Sequence, residues 1–109
     1  MCSSDVLTCV NAIRAYNGLG GLASNGTLNA AAQACAERMA AAGSMTHSAA
    51  TPGFGAWAEN IAQGYGSGAA VFTGWMGSTG HRNNILGSYT QMGLGYVASG
   101  NWWCQQFGA

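Results

Sequence analysis

The sequence predicts an α+β fold. Two observations carry it. Apolar residues recur at helical spacing behind recognisable caps through the first part of the chain, and the last part alternates and turns as a β-hairpin. At 109 residues and 49% hydrophobic the chain suits one domain, residues 1–109, large enough for a core but not for a second lobe.

Val6, Cys9, Val10, Ile13 and Tyr16 recur at helical spacing after the cap signal Ser3-Ser4-Asp5, and Asn17-Gly18 predicts the stop. A Gly-rich link through Leu19 and Leu22 leads to Thr27, the expected N-cap of a second helix. Its Leu28, Ala31, Ala32, Cys35 and Met39 share a face, and Gly43 marks its end. Glu37 lies opposite that face and reads as a solvated charge. From Gly43 to Gly68 helical period is lost and the only proline, Pro52, occurs. His47 and Glu59 are therefore expected in a long loop, the kind of segment that in small domains often carries function. Ala69 to Thr79 predicts a third helix with Val71, Phe72, Trp75 and Met76 inward, closed by Gly80; His81 then opens a short turn ending in Ile85-Leu86. Met92, Leu94 and Tyr96, the turn Ser99-Gly100-Asn101 and the run Trp102 to Phe107 predict the hairpin, which needs further elements packed against it. In its second strand Trp102 and Trp103 must face opposite sides.

Charge excludes several functions. Only 6% of residues are charged, with Arg14, Arg38 and Arg82 balancing Asp5, Glu37 and Glu59, so no basic patch can neutralise a run of phosphates and nucleic acid is not an expected partner. No apolar stretch of about 18 residues is present to span a bilayer, nor a basic amphipathic helix to lie on one. Asn25-Gly26-Thr27 reads both as a glycosylation sequon and as a turn and helix start; the turn is favoured. The chain shows no leader before Cys2, so Met1 is read as the start of a chain trimmed to its mature part.

Cys2, Cys9, Cys35 and Cys104 lack Cys-x-x-Cys spacing, and their even number fits two disulfides in an oxidising compartment, so secretion is expected. Three pairings stay open. Cys2 and Cys9 would be poor partners if both lay in one helix, so longer-range bridges are expected; buried free thiols are the alternative.

His47 and His81 are the only histidines, set in Thr46-His47-Ser48 and Gly80-His81-Arg82-Asn83-Asn84-Ile85-Leu86, with Glu59 in Ala58-Glu59-Asn60-Ile61. So few ionisable groups leave little else with which to move a proton or hold a metal near neutral pH. These windows join a longer ordered pattern: Asn11-Ala12-Ile13-Arg14, Gly18-Leu19, Trp75-Met76-x-Ser78-x-Gly80-His81-Arg82, Met92-Gly93-Leu94-Gly95 and Trp103-x-Gln105-x-Phe107-Gly108. The whole resembles the compact microbial form of the CAP superfamily, that of cysteine-rich secretory proteins, antigen 5 and pathogenesis-related 1 proteins, also called SCP domains.

The resemblance implies an α-β-α sandwich, a small antiparallel sheet between helices, with a cleft that gathers two histidines and two acids. His47 and His81 match the histidines and Glu59 the first acid. Ser78 stands where the second acid is expected, which removes the paired carboxylates a glycosidase needs. Two imidazoles on one cleft suit a weakly held Zn²⁺ or similar divalent cation, with Glu59 orienting a ligand water or supporting the site from behind. The alternative is a weak metal- or Ser-dependent hydrolase, a protease or esterase, in which Ser78 is the nucleophile, His81 its base and Glu59 the orienting acid. No nucleophile elbow or oxyanion loop surrounds Ser78. The expectation is a secreted binding module rather than an enzyme, engaging a lipid, a sterol or an extracellular protein, with a monomer as the expected state. Trp57 is the expected cleft wall, and Asn11 and Arg14 match family positions as structural hydrogen-bonders.

Overall fold

The computed structural model describes residues 2–109, so the reading of Met1 lies outside the described residues. The elements are α1 (Val6–Tyr16), β1 (Ala23–Ser24), α2 (Gly26–Ala42), β2 (Trp57–Gln63), α3 (Gly68–Met76), α4 (Thr79–Ile85), β3 (Gln91–Val97) and β4 (Trp102–Gly108). The strands form one sheet in the order β1-β3-β4-β2. β4 pairs antiparallel with both β3 and β2, while the two residues of β1 run parallel to β3.

Local chemistry sets most of the ends. Asp5 caps α1, its Oδ1 accepting from the Thr8 N–H at 2.8 Å. Asn25, not Thr27, caps α2: its Oδ1 accepts from the Leu28 N–H at 2.9 Å and its Nδ2 donates to Gln91 of β3. Both ends of the sequon amide thus serve the fold. Gly43 closes α2 in the left-handed conformation at φ 67°, where a side chain would be strained. The third helix is shorter than its pattern predicts. It ends at Met76, and Ser78 becomes the N-cap of α4, which takes up Thr79 and Gly80.

Alternation along the strands builds a layer on each face. One cluster joins Val6, Val10, Phe72, Trp75 and Ile85 of α1, α3 and α4 to Met92, Trp103 and Phe107; the other joins Ala32, Cys35, Ala36 and Met39 of α2 to Ile61 and Cys104. This is the expected α-β-α sandwich. Trp103 and Trp102 do face opposite layers: Trp103 packs tilted against Tyr96, ring centroids 4.1 Å apart, within the first cluster, and Trp102 packs against the second. Asn11 and Arg14 are structural. Asn11 exchanges two hydrogen bonds with the backbone of Leu22, and the buried Arg14 guanidinium donates to the carbonyls of Gly20, Ile85, Gly87 and Tyr89, holding the link after α4.

Two further expectations are corrected. Glu59 lies on β2, in the stretch expected to be loop. β2 is covered on both faces, so its buried Glu59 and Asn60 interrupt the apolar alternation by which an exposed strand would be recognised. Cys2 and Cys9 form a disulfide with each other, because Cys2 lies in the extended segment before Asp5 rather than in α1; its Cα is 5.6 Å from that of Cys9. Cys35 and Cys104 are buried free thiols.

Candidate functional site

Glu59 is the centre of the site. Alternation on β2 turns its side chain toward the α2 layer, where burial alone would raise the pKa of a carboxyl. The bonds from Ser48, Gln106 and Cys104 outweigh that cost, and His47 adds a fourth contact. Oε1 accepts from His47 Nδ1 at 3.0 Å and from the Ser48 N–H at 2.7 Å, and Oε2 accepts from Gln106 Nε2 at 2.8 Å and Cys104 Sγ at 3.3 Å. The net effect holds Glu59 below the usual carboxylate range, so it is ionised at neutral pH.

An ionised carboxylate only accepts, which fixes the histidine facing it. His47 carries a proton on Nδ1 and turns Nε2 outward from a ring 60% exposed. The loop that carries it is pinned by neighbours. Arg38 of α2 donates to Ser48 Oγ at 2.9 Å, and Gln106 Oε1 accepts from Thr51 Oγ1 at 2.7 Å and Trp57 Nε1 at 3.3 Å. Trp57 therefore buttresses the loop through Gln106 and is absent from the cleft lining at His81.

His81 comes from the other layer. Asn60, whose side chain points away from Glu59, donates to the His81 carbonyl at 3.1 Å and to Gln105 Oε1 at 3.1 Å; Asn84 donates to Asn60 Oδ1 at 2.9 Å. This amide chain clamps α4 onto β2. His81 then lines a cleft of about 290 Å³ with Met45, Tyr65, Trp75 and Ser78. Burial first, and then the charge of nearby His47, pushes the His81 pKa below its ordinary value. Its imidazole is thus neutral at neutral pH, the form that ligates a metal.

The two histidines flank the edge strand β2, and Glu59 bonds one of them directly. Among the described residues, the group of His, Cys, Asp and Glu whose ligand atoms all lie within 4.8 Å of one another is Cys35, Glu59 and Cys104, a donor set that can hold a metal ion. His47, Glu59 and His81 are not so tightly gathered, so Glu59 stands behind His47 rather than beside both rings. The hydrolase constellation is not assembled either. Ser78 makes no side-chain cap bond, no hydrogen bond joins it to His81 among the described residues, and the carboxylate expected to orient His81 orients His47 instead. Ser48 and Gln106, essential partners of Glu59, escape a reading by motif. The signal for Gln106 was present: two glutamines inside the otherwise apolar run Trp102 to Phe107 must be paired if that strand is buried.

Known proteins share this framework. Residues 7–107 match the family model for the cysteine-rich secretory protein family, CAP. An uncharacterised protein of Bacillus subtilis, YkwD, is 52% identical over 50 residues, which is 45% of this chain but only 20% of that protein. An extracellular protein of Bacillus anthracis containing an SCP domain superposes with a TM-score of 0.86 at 26% identity, covering 94% of this chain and 38% of its own. An outer surface protein of Borrelia burgdorferi superposes at 0.83 with 17% identity, covering 94% of this chain and 87% of its own. The chain thus spans well under half the length of the two Bacillus relatives.

Proposed function

Because the chain belongs to the CAP family of cysteine-rich secretory proteins, we propose that it acts outside the cell as a binding module that holds a divalent cation, Zn²⁺ or one like it, between His47 and His81. The observation that carries this reading is the Glu59–His47 pair, 3.0 Å apart, which leaves Nε2 as the free lone pair. A carboxylate behind a histidine is how metal sites fix the tautomer and raise ligand basicity. Such an ion would have two protein ligands, because Ser78 stands where a carboxylate could have supplied a third. Binding is therefore weak and fades as His81 protonates. When bound, the ion would polarise an oxygen of a ligand or water; His47 and His81 hold it, and Glu59 orients His47.

Titration with zinc at neutral pH is expected to shift the NMR signals of both imidazole rings, and His47→Ala is expected to abolish the shift at His81. A full response in His47→Ala would place the metal elsewhere. Without an assembled nucleophile, ester, peptide and glycoside substrates should show no turnover above a Ser78→Ala control, with or without zinc.

An apolar groove favours a lipid or sterol as the engaged ligand over an extracellular protein. Cys2, Cys9, Ala12, Ile13, Phe72 and Met76 line about 360 Å³ between α1 and α3, within the size range of small-molecule sites and without a charged side chain. Ala12→Trp, which fills the groove from an exposed position, is expected to abolish saturable binding of a fluorescent fatty acid and leave zinc binding unchanged. Unaltered fatty-acid binding in that variant would move the ligand off this groove.

A further inference from the structure

Cys35 and Cys104 are the free thiols among the described residues, and Cys104 touches the site through its S–H on Glu59. Both are fully buried, one on α2 and one on β4, and their sulfur atoms lie within 4.8 Å of each other. Their proximity follows from the sequence of the facing strand. Cys104 pairs in register with Gly95 of β3, and the missing side chain of Gly95 lets the α2 backbone at Ala32 and Gln33 rest directly on the sheet. Cys35, one helical turn beyond Ala32, is thereby lowered onto Cys104. Ala32 and Ala36, on the same face, keep the helix low there.

We propose that Cys35 and Cys104 are an oxidation site, closing a second disulfide that staples α2 to β4 directly behind Glu59. A metal fits this pocket less well. Glu59, the third donor of the group, already accepts four hydrogen bonds, which leaves two sulfurs alone to hold an ion. A disulfide needs only the two sulfurs, brought to about 2.05 Å.

The oxidant is a small disulfide such as glutathione disulfide. The thiolate of one cysteine attacks one of its sulfurs and releases one thiolate; the thiolate of the other then attacks the protein sulfur of the mixed disulfide and releases the second. The two cysteines lose two protons and two electrons, and the oxidant becomes two thiols. Since neither sulfur reaches the surface of the folded domain, the exchange takes place before α2 closes on the sheet. Once formed, the bridge removes the Cys104 S–H from Glu59 Oε2 and leaves that oxygen to Gln106.

The test is thiol labelling of wild-type protein refolded with reduced and oxidised glutathione, then denatured and alkylated without reductant. The expected result is no label on Cys35 or Cys104 and a disulfide-linked peptide pair joining them, together with a fall in melting temperature of about 10 °C or more in Cys35→Ala/Cys104→Val. Alkylation of both cysteines in the denatured, unreduced wild type would overturn the proposal. So would labelling that appears only after a chelator removes a bound metal. The labelling is read on the wild type, so it stands even where the double variant does not fold.

Discussion

Gly95→Ala is expected to destabilise the domain by about 3 kcal/mol or more, at the upper end of overpacking costs, because the added methyl group meets backbone rather than a side chain that could rotate away. A Cβ at residue 95 would lie inside van der Waals distance of the Ala32 carbonyl group and the Gln33 nitrogen, and at residue 93 of the Leu28 carbonyl group and the Asn29 nitrogen. To admit it α2 must lift from β3. That movement would also break the bonds by which Asn29 Oδ1 and Gln33 Oε1 accept from the Leu94 and Tyr96 N–H groups, at 3.0 and 2.9 Å. Against a total stability of about 5–15 kcal/mol the loss is large. Gly80→Ala is the control, since nothing lies within 4 Å of its Cβ and a helical Gly→Ala change gains about 1 kcal/mol. Thermal melts that fall in both variants alike would refute the close-packing argument.

Glu59→Gln is expected to cost about 1–3 kcal/mol for each buried donor it leaves unsatisfied, and to abolish the zinc response of His47. The new amide keeps one acceptor oxygen but turns an N–H₂ toward donors that Glu59 had satisfied. The same carboxylate gives stability a pH dependence of definite sign. Its folded pKa lies below 4.5, so its contribution is complete above that value and is lost as pH falls through the folded pKa. His81 adds an earlier limb. Its folded pKa lies below 6.5, so the fold favours the neutral ring, and stability begins to fall as pH drops below 6.5. Melting temperature measured from pH 7 to pH 3 should therefore decline in two stages, and Glu59→Gln should remove the lower one. A wild-type profile that rises on acidification would contradict both assignments.

Much of this domain was legible before any coordinate. α1 announced itself through Asp5 and the spacing of Val6, Val10 and Ile13, α2 through its apolar face and Gly43, and the hairpin through alternation and a turn. Each signal is local: a cap, a period or a left-handed glycine acts within a few residues. The histidines and Glu59 stood out by scarcity and by motif, which identified them without locating them.

What the tertiary structure decided is everything that depends on which surface covers which. β2 was hidden because a strand buried on both faces no longer alternates, and its polar residues meet partners from β4, α4 and a loop. The cysteine pairing was settled by where α1 begins: residue 2 lies outside the helix, so its chain can turn back to residue 9. The site itself is a matter of faces. Pleating sends Glu59 to the α2 layer and Asn60 to the other, so the carboxylate takes His47 as its partner while the amide positions His81. Sequence supplied the three residues, and burial, which makes every polar group seek a partner, decided which of them hold each other.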